Sequence, residues 1–172
     1  MPIRLCYAGN IFINNNSYQG RLKESTQLGA ELIGDDSIEA DAEILAMAVE
    51  CLKKAGLEKF QISIGHTGFL KGLMEEAGLN EEQEEELREL ISNKNFFGVE
   101  EFIGTLEIAE DLKELFTLLG GFYDSPKQFE EIQKKAAPYQ KSASALAYLK
   151  DLHEVLKPVS YTHLRAHETD QY

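Results

Sequence analysis

The apolar positions of this chain change their period as it is followed from the amino terminus. Residues 3–13 (Ile-Arg-Leu-Cys-Tyr-Ala-Gly-Asn-Ile-Phe-Ile) are rich in branched and aromatic side chains, and a second such run extends from about Lys23 to Ile33. Between them lies Asn14-Asn15-Asn16-Ser17-Tyr18-Gln19-Gly20, a stretch of turn formers. Two extended runs around a polar Asn/Gly loop predict an antiparallel hairpin with a long connection. Within the second run Leu28, Ala30 and Leu32 share one parity and are expected to face a core. Ser25, Gln27, Gly29 and Glu31 share the other, because successive side chains of a strand point to opposite faces.

The period then lengthens to that of a helix. Asp36 or Ser37 can cap a helix in which Ile38, Ala42, Leu45, Val49 and Leu52 recur at helical spacing until Gly56 stops it. Phe60, Ile62 and Ile64 alternate with Gln61 and Ser63, which predicts a short strand ending near Gly65-His66. From Thr67 onward the pattern is almost wholly helical. Asn80 with Gln83 forms a capping box in front of Leu87, Leu90 and Ile91. Ile108, Leu112, Leu115 and Leu119 make a further apolar stripe, closed by Gly120-Gly121. Pro126 opens a helix to about Ala136, and a last one is predicted from Ser142 to Leu156. There is no internal repeat.

Composition narrows the function classes. The 172 residues carry a formal net charge of −13, from 30 acidic against 17 basic residues. A grip on nucleic acid requires basic surface to neutralise phosphates, so RNA or DNA partners are disfavoured. The acidic run Glu81-Glu82-Gln83-Glu84-Glu85-Glu86 reads as a solvated helix face rather than a metal site. No stretch reaches the roughly 18–20 apolar residues of a membrane span, and the start lacks a secretory layout. Cys6 and Cys51 stand far apart with no metal-ligand spacing, which fits a reduced, cytoplasmic chain without metal or cofactor.

Residues 158–172 break the pattern. The string resembles translated sequencing-adaptor DNA and is taken as a non-native tail, so His163 and His167 carry no functional weight despite their metal-like spacing. The expected domain organisation is one folded core over residues 1–157 followed by that tail.

The informative chemistry lies in the hairpin. Tyr7-Ala8-Gly9-Asn10-Ile11-Phe12-Ile13, then Gln19-Gly20-Arg21-Leu22-Lys23-Glu24-Ser25-Thr26-Gln27-Leu28-Gly29-Ala30-Glu31, resembles motif 2 of class II aminoacyl-tRNA synthetases, in its histidyl form. Ser37 to Glu43 resembles the acidic helix start that follows this hairpin in the same family. Beyond residue 53, Gln61 to Gly78 and the helices to about Lys157 resemble the non-catalytic relative of those enzymes, the regulatory subunit of ATP phosphoribosyltransferase. The resemblance implies an α+β fold: a partial class II synthetase-like antiparallel sheet flanked by helices. It also implies an internal fragment, beginning just before motif 2 and ending before motif 3.

The resemblance assigns positions within motif 2 as well. A working synthetase holds the α-phosphate with an arginine, places an acidic residue two positions later and stacks adenine on an aromatic ring. The matching positions here are Ile13, Asn15 and Ser25, none of which supplies that chemistry. Arg21 and Lys23 are candidate phosphate contacts from the loop. The residues matching the family's histidine contacts are Gln27 and Glu31, with Gly29 between them expected to leave room for a ligand. His66 is a lone histidine whose structural and ligand-contacting readings both stay open. A degraded nucleotide site beside a retained histidine site implies a sensor: a regulatory subunit without catalytic residues, partnered by the short-form catalytic subunit in a hetero-oligomer and binding L-histidine. The alternative is a fragment of a histidyl-tRNA synthetase that activates histidine with ATP.

Overall fold

The computed structural model describes residues 1–14, 23–118 and 126–157. Two strands and seven helices follow in order: β1 (Ile3–Phe12), β2 (Glu24–Ile33), α1 (Ile38–Lys54), α2 (Thr67–Glu76), α3 (Glu81–Ser92), α4 (Phe96–Gly104), α5 (Glu110–Leu118), α6 (Pro126–Ala136) and α7 (Gln140–Leu156). They divide into two compact units, Met1–Leu57 and Glu58–Tyr172.

The first unit is the hairpin with α1. β1 and β2 pair antiparallel in the register Ile3↔Ile33 through Tyr7↔Gly29 to Phe12↔Glu24. The tip is closed by the Ile13 amide donating to the Lys23 carbonyl at 2.8 Å. Ser37 caps α1, its side chain accepting from the Ala40 amide at 3.3 Å, and Asp35 in turn accepts from the Ser37 amide. The helix buries Ala40, Ala42 and Val49. Arg4, on the strand face shared with Leu32, reaches Glu43 of α1 through two hydrogen bonds of 2.6 and 2.7 Å.

The core expected beneath β2 is smaller than its alternation suggested. Ala30 and Leu32 are half-buried, but Leu28 is 70% exposed. Parity sets which face a side chain joins, whereas burial requires an element lying over that part of the face.

The second unit is all helical and holds the main core. Phe69, Leu73 and Met74 of α2 pack with Leu87 of α3, Val99 and Ile103 of α4, Leu115 and Phe116 of α5, Ile132 of α6 and Leu146 of α7. The capping box is present in full: the Gln83 amide donates to Asn80 Oδ1, and Gln83 Oε1 accepts from the Asn80 amide. It stops the fraying of a helix whose first turns are otherwise acidic and exposed. Glu81, Glu82, Glu85 and Glu86 all lie in solvent, and Leu87 alone of this helix is fully buried. Gly72 lets α2 and α7 approach closely, since a Cβ there would come within 2.5 Å of Ser142 Oγ and 2.8 Å of its backbone nitrogen. Ser142 is fully buried and donates to the Phe69 carbonyl at 3.0 Å, so this buried polar side chain is satisfied.

The strand expected at Phe60–Ile64 does not form: residues 60–66 carry neither helix nor strand. Phe60, Ile62 and Ile64 are half-buried while Gln61 and Ser63 are exposed, so the alternation is real. A strand also needs a neighbouring ladder, and the sheet described consists of β1 and β2. Leu119, Gly120-Gly121 and the 158–172 tail lie outside the described residues.

Candidate functional site

Strand alternation and register together assemble one candidate site on the hairpin. Ser25, Gln27, Gly29 and Glu31 of β2 share a face with their cross-strand partners Ile11, Gly9, Tyr7 and Leu5. Gln27 and Glu31 are both exposed. Four residues of strand separate their backbones by roughly 13 Å. Their side chains therefore stand at the two ends of this face, with Gly29 between them.

Gly29, midway between them, does not leave open space. The ring of Tyr7 lies across it, and a Cβ at Gly29 would stand 2.2 Å from Tyr7 Cζ. Gln27 Nε2 donates to the Tyr7 hydroxyl at 3.1 Å. The floor between Gln27 and Glu31 is thus an aromatic ring, accommodated because its neighbour lacks a side chain. The stretch that resembles motif 2 includes Tyr7, but the resemblance implies no role for it. The signal that finds it is the register, which sets an aromatic directly opposite a glycine.

The positions that the resemblance matches to a synthetase's nucleotide contacts have a different character. Ile13 is 48% exposed and presents only hydrocarbon to solvent. Ser25 is exposed opposite Ile11. Lys23 is exposed beside the tip, while Asn15 and Arg21 lie outside the described residues. On the reverse face Asn10 links the strands, donating to Glu24 at 2.7 Å and accepting from Thr26 at 3.0 Å.

A concavity of about 710 Å³ lies between α2 and α7 and is lined by His66, Lys71, Glu75, Lys141, Ser144 and Tyr148 among others. Its charges are largely engaged with each other, Lys141 pairing with Glu75 and holding that carboxyl below its ordinary range through their hydrogen bond. His66 has a structural part here. It is the N-cap of α2, its Nδ1 accepting from the Gly68 amide at 3.0 Å, and its ring meets Tyr148 edge-on at 5.4 Å. Among the described residues no group of three or more His, Cys, Asp or Glu side chains is placed to hold a metal ion. No helix among them is long and apolar enough to cross a membrane.

A long antiparallel hairpin with an amide and a carboxylate on one face, followed by a capped acidic helix, is the arrangement that the resemblance to class II aminoacyl-tRNA synthetases implies. A sequence model of the family described as histidyl-tRNA synthetase matches residues 1–168. The chain belongs to the histidyl-tRNA synthetase family. Within it the chain is similar to an ATP phosphoribosyltransferase regulatory subunit of Acetivibrio thermocellus, 42% identical over 90% of this chain and 37% of that relative. It is 39% identical to the regulatory subunit of Ruminiclostridium cellulolyticum, over 91% of this chain and 37% of the relative. A solved structure described as an ATP phosphoribosyltransferase regulatory subunit/histidyl-tRNA synthetase from Bacillus halodurans superposes with a TM-score of 0.80 at 33% identity, covering 92% of this chain and 41% of the other. The chain therefore spans about two fifths of the length of the proteins it matches.

Proposed function

We propose that this chain is part of a regulatory subunit of ATP phosphoribosyltransferase, acting in histidine biosynthesis by binding L-histidine on the Gln27–Glu31 face of the hairpin. The observation that carries this reading is the contrast between two halves of one motif. The amino-acid half keeps a carboxylate and a carboxamide at the two ends of an aromatic floor, while the phosphate half has Ile13 where a synthetase needs a cation. Similarity to relatives named as regulatory subunits supports the same assignment.

The chemistry follows from donors and acceptors. Histidine offers an ammonium group at one end and imidazole N–H at the other, and both require acceptors. Glu31 supplies a charged acceptor and Gln27 a neutral one. Adenylation would instead require a charge-assisted grip on the α-phosphate, which an isoleucine cannot give. Removing one such transition-state donor costs on the order of 100- to 1000-fold in rate. The protein in this reading is non-catalytic and works with a short-form catalytic subunit in a hetero-oligomer. Feedback then requires histidine to bind one state of the complex more tightly than another.

Calorimetric titration with L-histidine tests the site. Glu31→Ala should weaken binding roughly 10- to 100-fold, the range of a hydrogen bond to a charged group. Equal heats from both proteins would remove the histidine site. In the full-length parent, histidine-dependent ATP–pyrophosphate exchange should be absent, and robust exchange would instead favour a histidine-activating synthetase.

A further inference from the structure

We infer that Tyr7 is a positioning residue for the amino-acid face, fixing the Gln27 carboxamide so that its oxygen is presented to a donor on the ligand. The inference rests on the histidine reading above and assigns a role to a side chain that reading leaves out.

Gln27 stands directly opposite Gly9, which has no side chain to support it. Its nearest support is diagonal. Tyr7, paired with Gly29, is the neighbour two residues along, and diagonal partners in a hairpin are within reach of an aromatic side chain. The hydroxyl takes that position, receiving Gln27 Nε2 at 3.1 Å. Reaching it requires the Tyr7 ring to cross Gly29, where any side chain would collide with the ring. Gly29 and Tyr7 therefore act together: the glycine admits the ring, and the ring carries the hydroxyl to the amide.

The consequence lies in which end of the amide remains available. An exposed glutamine turns freely about its last torsion and offers donor or acceptor alike. Committing Nε2 to Tyr7 leaves Oε1 as the outward group, an acceptor. Histidine offers a donor at each end, its ammonium group and one imidazole N–H, and an outward acceptor can meet either. Holding that orientation before the ligand arrives removes part of the ordering cost of binding.

The test is a double-mutant cycle in the full chain, with circular dichroism confirming that each variant folds. Tyr7→Phe keeps the ring over Gly29 and deletes the hydroxyl. It should weaken L-histidine binding about 3- to 10-fold, the value of one neutral hydrogen bond. In a Gln27→Ala background the same substitution should change affinity by less than twofold, because the group it acts through is gone. A ligand-independent readout accompanies the cycle: the side-chain NH2 resonances of Gln27 should shift in Tyr7→Phe. Equal losses in both backgrounds, no loss in either, or unmoved Gln27 resonances each overturn the positioning role. If wild-type protein gives no heat with histidine, the histidine reading fails on its own, and the Gln27 resonances still report whether the Tyr7 link exists.

Discussion

Tyr139 shows how one side chain joins two helices and carries a pH dependence with it. Its hydroxyl donates to Asp111 Oδ2 at 2.6 Å, tying the start of α7 to α5. Burial, then the hydrogen bond to Asp111 and that carboxylate's charge, push the phenol up to about 12. A free phenol titrates near 10, so the folded protein binds this proton more tightly than the unfolded chain. The stability it contributes is complete below about pH 10 and is lost as pH rises through about 12. Tyr139→Phe should destabilise by roughly 1 kcal/mol at neutral pH. It should also flatten the alkaline arm of a denaturant-midpoint profile, and an unchanged arm would show that another group sets it. Glu43 behaves in the opposite sense. Its hydrogen bond with Arg4 holds its carboxyl below the ordinary range, so its contribution is present above that range and is lost as pH falls through the lowered value. Both partners are exposed, and Arg4→Met should produce only the small change expected of a surface pair. At Gly29 a single methyl group decides the site. Gly29→Ala must push the Tyr7 ring aside, and histidine binding measured by calorimetry should drop at least as far as in Tyr7→Phe.

At the scale of elements, the helices are set by local signals and joined by a few close crossings. Asn80→Ala removes one half of the α3 capping box and should cost about 1 kcal/mol in a chemical denaturation experiment. Asn80→Ser, which keeps an acceptor, should recover most of it. The α2–α7 crossing has less tolerance. Gly72→Ala places a methyl group against Ser142 Oγ and its backbone nitrogen, which cannot both retreat. Overpacking of this kind costs about 1–3 kcal/mol, and the loss should appear as a lower unfolding midpoint of the second unit. The capping box, the Ser37 cap and the stripes of α1 and α5 were all legible in the sequence, because each depends on residues within a turn or two of one another. His66 was legible only as a histidine near glycines. Its part as the N-cap of α2 appears once the helix is seen to start at Thr67.

Across the whole molecule the two units differ in what covers them. The second encloses a continuous apolar core, whereas both strands of the hairpin are largely exposed, with Ile3, Leu5, Tyr7 and Ile33 between 46% and 55% open to solvent. Local opening free energy follows buried contacts. Hydrogen exchange on the 172-residue chain should therefore release the β1 and β2 amides well before those of α2 and α7 near Leu73 and Leu146. Equal protection would contradict the division. What the sequence by itself determined is everything written in short-range order: two strands with alternating faces, the helix caps, the acidic solvent face of α3, and the grouping of Gln27, Gly29 and Glu31 on one side of β2. Tertiary structure alone decided that Phe60–Ile64 forms no strand, that Leu28 stays exposed, and that the ring of Tyr7 occupies the place over Gly29. The reason is the same in each case. Periodicity states which way a side chain points, but the neighbour it meets is brought there by residues distant in the chain.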